Sequence, residues 1–144
     1  MRFFSPAFRL TAWLFVAAGA VAPAAAQQLK ASATALVTAD AQKKALRAVS
    51  FVEGQDVDGD GKPDVVAALK NENDEVVLGA WKVDQGKAVS LWVGNSTGAQ
   101  EVLDLQVKNV CADKLPEIVV ELREKAPDES RRLLRIWRWD GKSM

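Results

Sequence analysis

Between Gln55 and Val66 the chain reads QDVDGDGKPDVV, with carboxylates at Asp56, Asp58, Asp60 and Asp64. Alternate aspartates all point inward when a backbone curls around one point. Gly61 permits the positive φ of a sharp turn, and Lys62 can offer its backbone carbonyl. Hard oxygen donors of this kind suit Ca²⁺, which accepts six to eight of them in flexible geometry. Without a cation, two carboxylates about 5 Å apart repel by roughly 3 kcal/mol at an effective dielectric of about 20. A cation reverses that sign. The expectation is a Ca²⁺ loop with a dissociation constant of about 10⁻⁴ to 10⁻³ M, as in extracellular modules. A solvated acidic turn is the plainer alternative.

The elements that position this loop read as antiparallel β. VSFVE (49–53) leads into it and DVVAALK (64–70) leads out, followed by VVLGAWKV (76–83) and AVSLWV (88–93). Short apolar or β-branched runs bounded by Gly, Asn, Asp and Pro are strand signals. GNSTG (94–98) has the composition of a loop. EVLDLQV (101–107), EIVVELR (117–123) and a run over 131–139 then repeat the pattern. DVDGDGKPDVVAAL (56–69) aligns with NVCADKLPEIVVEL (109–122) at an offset of 53 residues, and Trp81 aligns with Trp137 at an offset of 56. Two diverged copies of one unit, spanning about 49–93 and 101–142, explain both matches. The fold class expected is mainly β: two antiparallel meanders in one small domain, with a short helix near 40–48. SATALVT (32–38) has strand character and is expected to fill the place of the second unit's missing fourth strand.

DxDGDGxxD followed at once by a strand resembles the FG-GAP/VCBS family of integrin-type β-propeller repeats. The resemblance implies a Ca²⁺ loop between two strands of a blade, with Asp56, Asp58, Asp60 and Asp64 as side-chain ligands. The helix-loop-helix EF-hand also begins D-x-D-x-D-G, but it needs a bidentate Glu at position 12, where this chain has Ala67. Two units cannot close a propeller, so only the local unit carries over. In the second loop Asn109, Asp113 and Glu117 retain ligand character. Cys111 there replaces a carboxylate and Lys114 replaces the turn glycine.

The ends and composition bound the remaining chemistry. Arg2 and Arg9, the apolar LTAWLFVAAGAV and Ala24-Ala25-Ala26 have the layout of a secretory signal peptide over residues 1–26; an uncleaved anchor is the alternative. The remainder, 27–144, suffices for one domain. Without Arg2 and Arg9 it carries 17 basic and 19 acidic residues, a charge of −2. Neither a nucleic-acid footprint nor a basic membrane-binding surface is expected. With no His and no Tyr, a Ser-His-Asp or Cys-His site and a typical zinc site are excluded. Cys111 is the sole cysteine, so no intrachain disulfide forms. It reads as a small buried hydrophobe, with an interchain disulfide as the alternative. Trp81, Trp137 and Trp139 read as core; Trp92 reads as the freest aromatic. The functional expectation is an exported, non-enzymatic calcium-binding module, periplasmic or secreted from a bacterium, with a structural or protein-interaction role. The alternative is a carbohydrate- or small-ligand-binding module using Trp92. The partner expected is an envelope protein or a glycan.

Overall fold

Strands β1 (Arg47–Gln55), β2 (Asp64–Lys70), β3 (Val76–Asp84) and β4 (Lys87–Val93) pair in chain order as one four-stranded antiparallel sheet. Strands β5 (Glu101–Lys108), β6 (Glu117–Lys125) and β7 (Ser130–Trp137) form a second sheet of three. These are the two expected meanders. The computed structural model describes residues 33–112 and 114–144. The leader, its cleavage site and Asp113 lie outside the described residues.

Of the strand expected over 32–38, residues 33–38 belong instead to a helix, α1, over residues 33–42, and Ser32 lies outside the described residues. The reason is a helical stripe that the strand reading overlooked: Ala33, Val37 and Ala41 recur every four residues and pack on the first sheet. The helix expected near 40–48 is therefore displaced toward the N-terminus, and the chain from Arg47 is strand. Helix α1 ends in a Schellman motif, with Leu46 N–H bonded to the Ala41 carbonyl (3.0 Å) and Ala45 N–H to that of Gln42 (3.1 Å). Ala45 occupies the left-handed position, at φ 57°. With 33–38 committed to α1, the second sheet keeps three strands among the described residues.

The layers are helix, four-stranded sheet, three-stranded sheet. Along β2, Val65, Ala67 and Leu69 face α1, whereas Val66 and Ala68 face the second sheet. A strand covered on both sides reads as an unbroken apolar run, and VVAAL is one. The repeat counterparts of Val65, Ala67 and Leu69 are Ile118, Val120 and Leu122, which point into the space between the sheets. The two units therefore stack facing the same way. Counterparts of Val66 and Ala68, namely Val119 and Glu121, take the outer face of the second sheet. Opposite them in register, Ile136 and Leu134 are 52% and 67% exposed.

Segment 94–98 is no simple solvated loop. Gly94 and Thr97 donate their N–H groups to Leu78 and Val76, and Val76 N–H returns to Ala99. The connection thus continues beside β3 before crossing to the second sheet. Among the described residues no helix is long and apolar enough to cross a membrane.

Candidate metal centre

The acidic turn joins β1 to β2, and its own side chains hold it. Asp56 accepts the N–H groups of Gly59 (2.7 Å) and Gly61 (2.8 Å), one on each carboxylate oxygen. Both glycines have positive φ, 82° and 83°, which the tight curl requires. Asp58 accepts from Asp60 N–H and Asp60 from Lys62 N–H, at 3.2 and 2.8 Å. The loop rests on its second-repeat counterpart, for a Cβ at Gly59 would stand 2.9 Å from Leu115.

Asp64 opens β2 and is only 1% exposed. Its Oδ2 accepts Val57 N–H at 2.9 Å, while its Oδ1 is buried without a hydrogen-bond partner. Burial, reinforced by Asp58, Asp60 and Asp56, pushes its pKa up from 3.8 to about 6, against the opposing Val57 N–H. A half-unpartnered buried carboxylate is costly, and a positive group on that side would offset the cost. One oxygen each from Asp56, Asp58 and Asp64 lie within 4.8 Å of one another. Oxygens that share a Ca²⁺ at about 2.3–2.6 Å cannot be more than about 5 Å apart. The three carboxylates thus stand within the spacing that ligands of one hard divalent cation require.

Asp60, another expected side-chain ligand, is placed differently; Lys62 is expected to contribute its backbone carbonyl, on which its side-chain position does not bear. Asp60 is outside that cluster and turns to Lys82, whose ammonium lies 2.6 Å from both Asp60 Oδ2 and Asp58 Oδ2. These bonds raise the Lys82 pKa, and the Lys82 ammonium holds that of Asp60 down. The Lys62 ammonium lies 3.3 Å from Asp84. Lys82 stands directly across from Asp64 in the β2–β3 register. Its part in the site was missed from sequence; a lone lysine in a strand 22 residues from Asp60 carries no local signal.

The second loop repeats the frame with different side chains. Glu117, the counterpart of Asp64, is likewise 1% exposed and accepts Val110 N–H from seven residues back. Its Oε1 is also without a hydrogen-bond partner. Its pKa is nonetheless lowered, chiefly by Val110 N–H and also by Cys111. Where the first loop has Asp56 and Asp58, this loop has Asn109 and Cys111. Contrary to the expectation of a buried hydrophobe, Cys111 is exposed. Its thiol hydrogen-bonds Glu117, which raises its pKa, and Arg138, which opposes the rise. Asn109 is exposed in the same loop, and Asp113 lies outside the described residues.

Trp81 is fully buried between α1 and the first sheet, its Nε1–H donating to Asp40 at 2.9 Å. Trp137 packs between the sheets, its ring 6.4 Å from that of Trp92. Trp92 is less free than expected, since it also packs against the inter-sheet cluster and its ring lies over Gly94. Comparison with known protein families, curated proteins and solved structures finds no match for this chain.

Proposed function

We propose that the chain is an exported calcium-binding β-repeat protein of FG-GAP/VCBS type, non-enzymatic, with a structural or protein-interaction role in the bacterial envelope. Asp56, Asp58 and Asp64 are the ligands in place, with Asp60 and the Lys62 carbonyl joining when the ion enters. The observation that carries this reading is Asp64: a carboxylate 1% exposed, unpartnered on one oxygen and grouped with two others at cation spacing. A bound cation converts the loop's mutual repulsion into a cross-link between the end of β1 and the start of β2. The role that follows is mechanical, a stiffened turn at one end of the sheets. Four carboxylates in one loop leave few coordination positions for a substrate, which argues against metal-assisted hydrolysis.

Thermal unfolding in EGTA and then in millimolar CaCl₂ tests the reading. At a dissociation constant of about 10⁻⁴ M, calcium at about 1 mM adds about 1.4 kcal/mol, a rise in midpoint of several degrees. Asp56→Asn is expected to lose most of that rise. No shift in the unmodified protein would sink the calcium assignment.

A second reading has one observation in its favour. A cavity of about 290 Å³ lies beside the 94–97 segment, bordered by Trp92, Trp137 and Arg135. Stacking surfaces beside a guanidinium suit a sugar or a small anionic ligand. A glycan array separates this from the structural role; binding lost in Trp92→Ala would favour it.

A further inference from the structure

The acidic loop already contains a cation of its own. The Lys82 ammonium lies 2.6 Å from Asp58 Oδ2 and from Asp60 Oδ2, and Asp58 is also one of the three carboxylates at cation spacing. Asp58 and Lys82 are mostly shielded, their side chains 8% and 30% exposed, so solvent screens this pair less than a surface one. Asp64, by contrast, has no cationic partner for its buried Oδ1. The loop's charge is thus compensated on the Asp58–Asp60 side and left bare on the Asp64 side. An ion bound by Asp56, Asp58 and Asp64 and an ammonium bonded to the same Asp58 would stand within a few ångströms of each other, with like charge.

We propose that Lys82 is a displaceable internal counter-ion of the acidic loop, which Ca²⁺ must dislodge from Asp58 and Asp60, so that Lys82 sets the affinity of the site. This rests on the calcium reading above. Displacement also frees Asp60, which the Lys82 bond holds outside the carboxylate cluster, to complete the ligand set. The lysine's flexible stem and single charged tip suit it to exchange. The second repeat offers an internal comparison. There the counterpart of Lys82 is Arg138 and that of Asp58 is Cys111, and the Arg138 guanidinium lies close enough to the thiol to lower its pKa. The equivalent position, which in the second unit lies just past the end of β7, reaches its loop in both units, and where the first unit has the Asp58 carboxylate the second has a thiol.

Calorimetric titration of the full chain with CaCl₂ tests this, comparing the unmodified protein with Lys82→Met, Lys82→Gln and Lys82→Arg. Removing the charge is expected to tighten calcium binding about tenfold, the effect of deleting a partly shielded ammonium that competes for two of the loop's carboxylates. Arginine is expected to leave affinity unchanged or weaker. In EGTA the two neutral variants are expected to unfold at a lower temperature than the unmodified protein, and calcium is expected to reverse that order. Lys82→Gln guards against a methionine that fails to fold. Calcium binding by the unmodified protein with unchanged or weaker affinity in folded Met and Gln variants overturns the counter-ion while leaving the calcium site standing. Binding by the neutral variants alone supports the counter-ion in its strongest form. No binding by any folded variant in millimolar calcium overturns both.

Discussion

Asp64→Asn changes one atom type and removes one charge, and its effect on stability is expected to change sign with calcium. In the cation-free protein the carboxyl titrates at about 6 in the fold, against 3.8 ordinarily. At about 1.4 kcal/mol per pH unit of difference, ionised Asp64 withholds about 3 kcal/mol at pH 7, an upper bound for what its removal returns. Asparagine keeps a carbonyl for Val57 N–H. Its amide can donate toward Asp56 and Asp58, where the buried Oδ1 of Asp64 has no partner. In EGTA at pH 7 the variant is therefore expected to be about 1–3 kcal/mol more stable than the unmodified protein. In calcium the order reverses, because the variant has lost a ligand charge and with it the linkage gain. The pH dependence has a matching sign. Asp64 binds its proton more tightly in the fold, so its contribution is fully present below about 3.8 and is lost as pH rises through about 6. The variant should lack that decline. Urea denaturation followed by tryptophan fluorescence, in EGTA and in calcium across pH 4 to 7, gives all these numbers at once. An Asn variant less stable than the unmodified protein in EGTA at pH 7 would refute the reasoning.

Three further outcomes follow from the packing. Gly79→Ala places a Cβ 2.4 Å from the Trp81 ring and 3.2 Å from the Trp92 carbonyl. It should cost about 1–3 kcal/mol in urea denaturation, with part of the loss recovered by adding Trp81→Leu. Ala45→Gly relieves the left-handed residue that ends α1 and should raise stability by about 0.5–1 kcal/mol in the same assay. Cys111 is exposed, yet Glu117 beside it raises its pKa; its reaction with a chromogenic disulfide at pH 7.5 should run several-fold slower than that of a free small thiol.

The strands were legible because punctuation and pattern agree. Gly59 and Gly61, Asn71 to Asp74, and Gln85-Gly86 interrupt apolar runs, and DVVAALK is β2 without adjustment. The repeat was legible too, and Asp64 and Glu117 occupy equivalent places down to the N–H each accepts. Residues 32–38 misled because Thr and Val favour strands locally. The stripe of Ala33, Val37 and Ala41 gains its stability from a sheet surface formed far along the chain. The end of α1 misled because Ala45 stands where glycine would have marked the stop. Within the site, the four aspartates were plain, but their division of labour was not. The register of β2 with β3 brings Lys82 to Asp58 and Asp60, and nothing within the turn announces it.

The like-facing stack of the two sheets has a consequence for assembly. A contact in which one surface of a unit meets a different surface of the next is heterologous, and such a contact does not use itself up. Each added unit presents again the surface that the last one covered. At one end of this molecule α1 occupies that surface. At the other, the second sheet shows the counterpart of the first sheet's core face, and Leu134 stands exposed where Leu78 is buried. What has changed there is charge. Glu121 replaces Ala68, Arg132 replaces Val76, and the two form an ion pair at 2.8 Å. Stacking a third like unit would strip water from that pair at a cost its attraction does not recover. A helix covers the repeating surface at one end, and at the other an ion pair stands where the first sheet has two apolar core residues, so each end of the two-unit stack carries a feature that opposes the addition of a like unit.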